Sequence, residues 1–134
     1  MSGNFELDIR RFVNHVNDNL DLVTKSIVLS LMRSVILKSP VKTGRFKGNW
    51  QYGNNQIPSG IIIDFDPSGT TTLINAANNF PVNSFGMVHY IVNNLPYSIR
   101  LENGWSRKAP SGMVGLAISE LDGIVRRSVN EVNQ

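Results

Sequence analysis

Ser39-Pro40-Val41-Lys42-Thr43-Gly44-Arg45-Phe46-Lys47-Gly48-Asn49-Trp50 divides the chain into two kinds of secondary structure. Proline cannot supply the next helical amide donor, and it pushes the residue before it out of the helical region, so Ser39-Pro40 stops whatever helix precedes it. Thr43 can then cap a short turn over residues 45–49, and Trp50 leads into a strand. Upstream, Phe5, Ile9, Phe12, Val16, Leu20, Val23, Ile27, Leu31 and Val35 recur at three- and four-residue steps, which predicts one long helix over 5–38. At 1.5 Å per residue that helix is roughly 45 Å long and outreaches a small domain. Asn14, Asn17 and Asn19 lower helix propensity in its middle and predict a break there.

Downstream, residues 50–93 read as sheet. A strand starts at Gln51-Tyr52-Gly53, the β-branched run in Gly60-Ile61-Ile62-Ile63-Asp64-Phe65 predicts a second, and Asn54 to Ser59 supply the connection. Asp66-Pro67-Ser68-Gly69 is a turn, and Thr70-Thr71-Thr72 caps a short helix through about Asn78. Met87 to Asn93 is a further strand, ended by Asn94-Leu95-Pro96. Tyr97 and Leu101 open a turn of helix that Gly104 closes in the left-handed conformation, and a loop over 94–112 leads past Pro110 to a C-terminal helix over 113–129. That helix carries Val114, Leu116, Ala117, Leu121, Ile124, Val125 and Val129 on its apolar side. The expectation is one α+β domain over 1–134, with a long N-terminal helix and a C-terminal helix packed on a small antiparallel sheet.

Composition narrows the function classes. The 134 residues carry a net charge of +3, no cysteine and only 17% charged residues, so disulfides and thiolate metal sites are excluded, and the light charge suggests that partners cover part of the surface. No apolar stretch approaches the roughly 20 residues that span a bilayer, and the polar, acidic start is no secretory signal, which predicts assembly in the cytoplasm without a membrane. Charge placement is uneven. Between Asp21 and Asp64 there is no acid, whereas Lys25, Arg33, Lys38, Lys42, Arg45 and Lys47 all fall there. That basic stretch, 22–63, suits either solvation of a helix end or contact with an acidic partner or DNA.

Residues able to do chemistry are sparse. His15 and His89 lack the neighbours a zinc site needs, and no nucleophile elbow, phosphate loop or dinucleotide glycine pattern is present. Asp64 and Asp66 would share a face if they lay on a strand and could then hold a cation or water, but Pro67-Ser68-Gly69 favours a turn with Asx hydrogen bonds. Trp50, Tyr52, Tyr90 and Tyr97 sit in or beside elements and read as core-edge aromatics. Trp105, in a polar loop with Ser106, Arg107 and Lys108, reads as an interface anchor. Glu102 is the lone acid between Asp66 and Glu120; pairing with Arg107, or with a cation of the first block, it would tie the loop down or bind a neighbour. These readings imply no enzyme, no cofactor and no metal.

Ser39 to Arg45 with Trp50, then Tyr90 to Tyr97, Leu101 to Ser106 and Ala109 to Val114, in this order from about residue 5 to residue 129, resemble the small neck or tail-completion proteins at the head-tail junction of long-tailed bacteriophages. Asn103 and Trp105 around Gly104 depart from that pattern. The resemblance implies a structural virion protein that forms a homo-oligomeric ring, of six copies as in a tail tube with twelve as in a portal the alternative, and joins or seals the tail to the connector. It also implies neighbouring connector and tail proteins as partners, non-specific contact with DNA in the channel, and a location at the head-tail joint of the virion. The contact surfaces would be the two loops, through Lys42, Thr43, Gly44, Arg45, Lys47, Glu102, Trp105, Ser106, Arg107, Lys108, Pro110 and Met113. The alternative is a nucleic-acid-binding module using the 22–63 stretch; a third reading is a hydrolase using Asp64, Asp66 and a divalent ion.

Overall fold

A computed structural model describes residues 2–104 and 112–133, with side chains from Val16 onward. Helix α1 (Ser2–Lys38) ends at the predicted Ser39-Pro40 stop, where the Ser39 amide still closes a last turn on Ile36. It runs without the break expected at its asparagines. Asparagine's helix penalty is a fraction of a kcal/mol per residue, too small to interrupt a stripe of this length. A single 3-10 turn (Lys47–Asn49) then delivers the chain to β1 (Trp50–Asn54). Thr43 caps the turn over 45–49 as expected, its hydroxyl accepting from the Arg45 amide at 3.3 Å, although the 3-10 segment itself has no side-chain cap.

Strand β1 pairs antiparallel with β2 (His89–Asn93) in the register Trp50 to Asn93 through Asn54 to His89, and these are the only two strands among the described residues. Residues 60–65 are not the predicted second strand. Asn49 displaces a ladder partner there: its side-chain amide donates to the Ile62 carbonyl at 3.1 Å, while its oxygen accepts from the Ile62 amide at 2.7 Å. One side chain thus makes the pair of hydrogen bonds that a neighbouring strand would make, and the isoleucines stay exposed.

Helix α2 (Thr70–Asn78) begins at the threonine run, but the threonine hydroxyls do not cap it: Gly69 holds the N-cap position, and the Thr70 and Thr72 amides donate to the Ser68 hydroxyl and the Asp66 carboxylate instead. The single C-terminal helix expected over 113–129 is instead two, α4 (Val114–Ser119) and α5 (Leu121–Val132), preceded by the short α3 (Ser98–Glu102). The break falls at Glu120, whose amide closes a tight turn on Ala117, while its carboxylate is drawn to Lys38 (2.5 Å) and Ser34 (2.6 Å) on α1. The Ser119 hydroxyl also bonds back to the Leu116 carbonyl, a local bond that competes with helix continuation.

The core forms where the C-terminal third of α1 (Met32, Val35, Ile36) meets Phe46, Trp50, Ala76, Leu95, Met113 and Ala117. Helix α5 packs along α1 with Ile124 and Ser128 inward, and the Ser128 and Ser26 hydroxyls meet at 2.8 Å. The fold is α+β, with a long N-terminal helix and C-terminal helices on a small antiparallel sheet.

Candidate interface

The two blocks singled out in the sequence converge. Phe46 of the first packs on Tyr97 of the second, with ring centroids 6.0 Å apart, and meets Trp50 edge-on at 5.8 Å. Asn93, at the end of β2, clasps them: its amide donates to the Phe46 carbonyl at 3.0 Å and its oxygen accepts from the Leu95 amide. Trp50 is buried, and its indole N–H donates to the Ser39 hydroxyl, which donates to the Val35 carbonyl, so the helix stop and the strand start share one hydrogen-bonded relay. Gly44 takes φ +88°, and its carbonyl accepts from the Gly48 and Asp66 amides. A Cβ there would collide with the backbone of Pro67, so only glycine lets the two loops approach this closely.

Between the blocks lies an open groove of about 700 Å³. Pro40, Val41, Phe46, Phe65, Tyr97 and Leu101 give it an apolar lining. Lys42, Thr43 and Arg45 stand exposed at its rim, and no acid among the described residues lines it. Lys42 and Arg45 make no ion pair among the described residues. Of the contact residues named from the sequence, Lys42, Thr43, Gly44 and Arg45 line this groove; Phe65, which reaches it from the loop read as a strand, was not among them.

The remaining predicted contact residues divide sharply. Lys47 is buried, its aliphatic stem against Gly69, and Met113 is in the core. Trp105, Ser106, Arg107, Lys108 and Pro110 lie outside the described residues. Glu102 is half-buried, and its carboxylate meets backbone amides: Oε1 accepts from Met113 and Val114, both at 2.8 Å, and Oε2 from Gly115 at 3.0 Å. Burial raises its carboxyl pKa, but the three amides outweigh this and hold it below the usual carboxylate range. Glu102 therefore caps α4 from the end of α3, and its tie is within the chain. Gly112, at φ +79°, is buried against the same glutamate, where any Cβ would strike the Glu102 carbonyl.

The acids considered for cation binding have a similar fate. Asp66 accepts from the Thr72 amide (2.8 Å) and hydroxyl (2.7 Å), anchoring α2. Burial raises its pKa, but bonds from Thr72, Gly69 and Ser68 outweigh it and hold the carboxyl low. Asp64 is exposed and off any strand, so the shared-face geometry does not arise. Among the described residues no group of three or more His, Cys, Asp or Glu is placed to hold a metal, and no helix is long and apolar enough to cross a membrane.

His89 is satisfied on both ring nitrogens. Nε2 lies 2.9 Å from the Ser84 carbonyl, which can only accept, so Nδ1 is the acceptor for the Tyr52 hydroxyl at 2.6 Å. Phe80 stacks over both rings, and burial pushes the Tyr52 phenol up. His15 lies in the α1 backbone, its side chain outside the described set. Of the six cations in the acid-free stretch, Lys38 is engaged by Glu120 and Lys47 is buried; Lys25 and Arg33 stand on α1 and are not among the groove's lining residues.

No family model, curated protein or solved structure matches the chain.

Proposed function

We propose that this protein is a structural component of a bacteriophage head-tail joint, a ring-forming neck or tail-completion subunit that joins or seals the tail to the connector. The observation that carries the reading is the uncovered apolar surface. Ile57, Ile61, Ile63 and Phe65 on one loop, and Val82, Phe85 and Val88 on another, are exposed, and Ile63 is 88% accessible. Meanwhile every buried side-chain nitrogen and oxygen among the described residues has a hydrogen-bond partner. A body whose polar groups are satisfied internally, and whose large apolar side chains face outward, is suited to burial against other subunits. Along α1, the described side chains from Val16 to Leu22 are exposed or half-buried, so the chain itself leaves this stretch incompletely covered. The sequence resemblance supplies the particular setting, and a heterologous contact closed by rotation supplies the ring.

Sedimentation of the purified protein, alone and mixed with connector and tail-tube proteins, tests this. The expected result is a closed species at a fixed multiple of 14.9 kDa, and the chain's presence in purified particles. A single 14.9 kDa species at every concentration, together with absence from particles, overturns it. Duplex DNA binding that falls steeply with salt would shift the assignment to a nucleic-acid module.

A further inference from the structure

We infer that the groove between the two blocks receives the N-terminal turns of α1 from a second copy of this chain, centred on Phe5-Glu6-Leu7-Asp8-Ile9. The inference rests on the self-assembly part of the reading above and names its contact. The groove demands a particular ligand: its lining is apolar, its rim carries Lys42 and Arg45, and no acid among the described residues lines it. A complementary segment must present large apolar side chains flanked by carboxylates. The chain's ten acids are mostly single or already engaged: Asp66, Glu102 and Glu120 are held by hydrogen bonds within the fold, and Asp21 accepts from the Phe85 amide. Residues 5–9 interleave two acids with three large apolar residues. By spacing alone, Phe5, Ile9 and Phe12 share one stripe of a helix, and Glu6 and Asp8 fall on either side of it.

Geometry makes the contact intermolecular. The groove begins at Pro40, immediately beyond the C-terminal end of α1, while residues 5–9 occupy the opposite end of the same unbroken helix. Roughly 29 residues of helix separate them, about 45 Å at 1.5 Å per residue, so a copy cannot fill its own groove. A donor at one end of a rigid rod and an acceptor at the other define a head-to-tail contact, the kind that generates rings when its rotation closes. The same contact would bury the first turns of α1.

The natural chain has no cysteine, so a pair of introduced ones reports on this contact without background. In the full-length Asn4→Cys/Thr43→Cys variant, a short bis-maleimide should produce a ladder of chain multiples that ends at the ring's copy number. Either single-cysteine variant should stop at dimers. Adding Lys42→Glu with Arg45→Glu should cut ladder formation by about tenfold or more. Adding Glu6→Lys with Asp8→Lys to that chain should restore it, because the complementarity returns with its signs exchanged. Dimers only, a ladder indifferent to the reversal, or one not rescued by the second reversal each overturns the inference. A ring by sedimentation with no ladder means that another partner fills the groove, and sinks the contact while leaving the ring. A ladder that continues without closing upholds the contact and sinks the ring.

Discussion

Two regions of this molecule use their residues in opposite ways. In the joint built from Asn49, Asp66 and Glu102, three polar side chains of the kind that ordinarily face water or a ligand are taken up by backbone amides and carbonyls of their own chain. In the loop from Ile57 to Phe65, large apolar side chains of the kind that ordinarily build a core stand in solvent. The joint fixes the paths of loops too short and too irregular to be held by a sheet of only two strands. The loop contributes little to the subunit's own core and leaves its apolar surface available to others. Polar residues therefore hold the loop paths beside the apolar core, while the large apolar side chains of this loop stay outside that core, which reverses the usual placement of the two kinds of residue.

The strongest way to break that comparison is to remove Asn49. It is fully buried and makes three hydrogen bonds, to the Arg45 carbonyl at 2.7 Å and to both backbone groups of Ile62. Asn49→Ala removes the partner of three part-buried backbone groups, on Arg45 and Ile62, and is expected to destabilise the subunit by about 2 kcal/mol, measured as a shift in the urea midpoint. A loss under about 1 kcal/mol would mean that the Ile61–Ile63 segment is held by something else.

Glu102→Gln comes next. The amide can still accept, but without the charge that strengthens three bonds at the start of α4, and the expected loss is about 1–2 kcal/mol at neutral pH. The pH dependence gives the sign. Because the folded carboxyl titrates below its unfolded value, the stabilisation is fully present above the ordinary carboxylate range and is lost as pH falls through the folded value. The gap between wild type and Glu102→Gln should be widest at pH 7 and should close as pH falls below about 4.5. A gap that stays constant down to pH 3 would show that the charge contributes nothing at the cap.

Much of the frame was legible because its signals are local. Ser39-Pro40 ends α1, and Gly104 takes the left-handed conformation expected of it, at φ +86°. The failures share one cause, a partner distant in sequence. Ile61-Ile62-Ile63 has strand composition, yet Asn49, 13 residues away, occupies the backbone groups a strand would have paired. The apolar spacing of 113–129 is helical throughout, yet Lys38, 82 residues away, draws Glu120 aside at the break. Glu102 does tie the loop's end down, but through amides 11 to 13 residues later that no side-chain spacing marks; Arg107 lies outside the described residues. The site was half legible for the same reason: its cations lie in one block, whereas the groove needs Phe65, Tyr97 and Leu101 from elsewhere.

The smallest expected effect on stability is the most informative about the exposed loop. Ile63 is 88% accessible, so replacing it by serine removes almost no buried area from the subunit and should move the unfolding free energy by no more than about 0.5 kcal/mol. If the loop serves association, the same change exposes its cost only when subunits meet, where burying an isoleucine contributes about 1.5–3 kcal/mol per contact. Sedimentation of Ile63→Ser beside wild type should therefore show an unchanged monomer stability with assembly moved to higher concentration. Lost stability with unchanged assembly would place Ile63 among the residues that hold the subunit together, and the division of labour between loop and joint would fail at that residue.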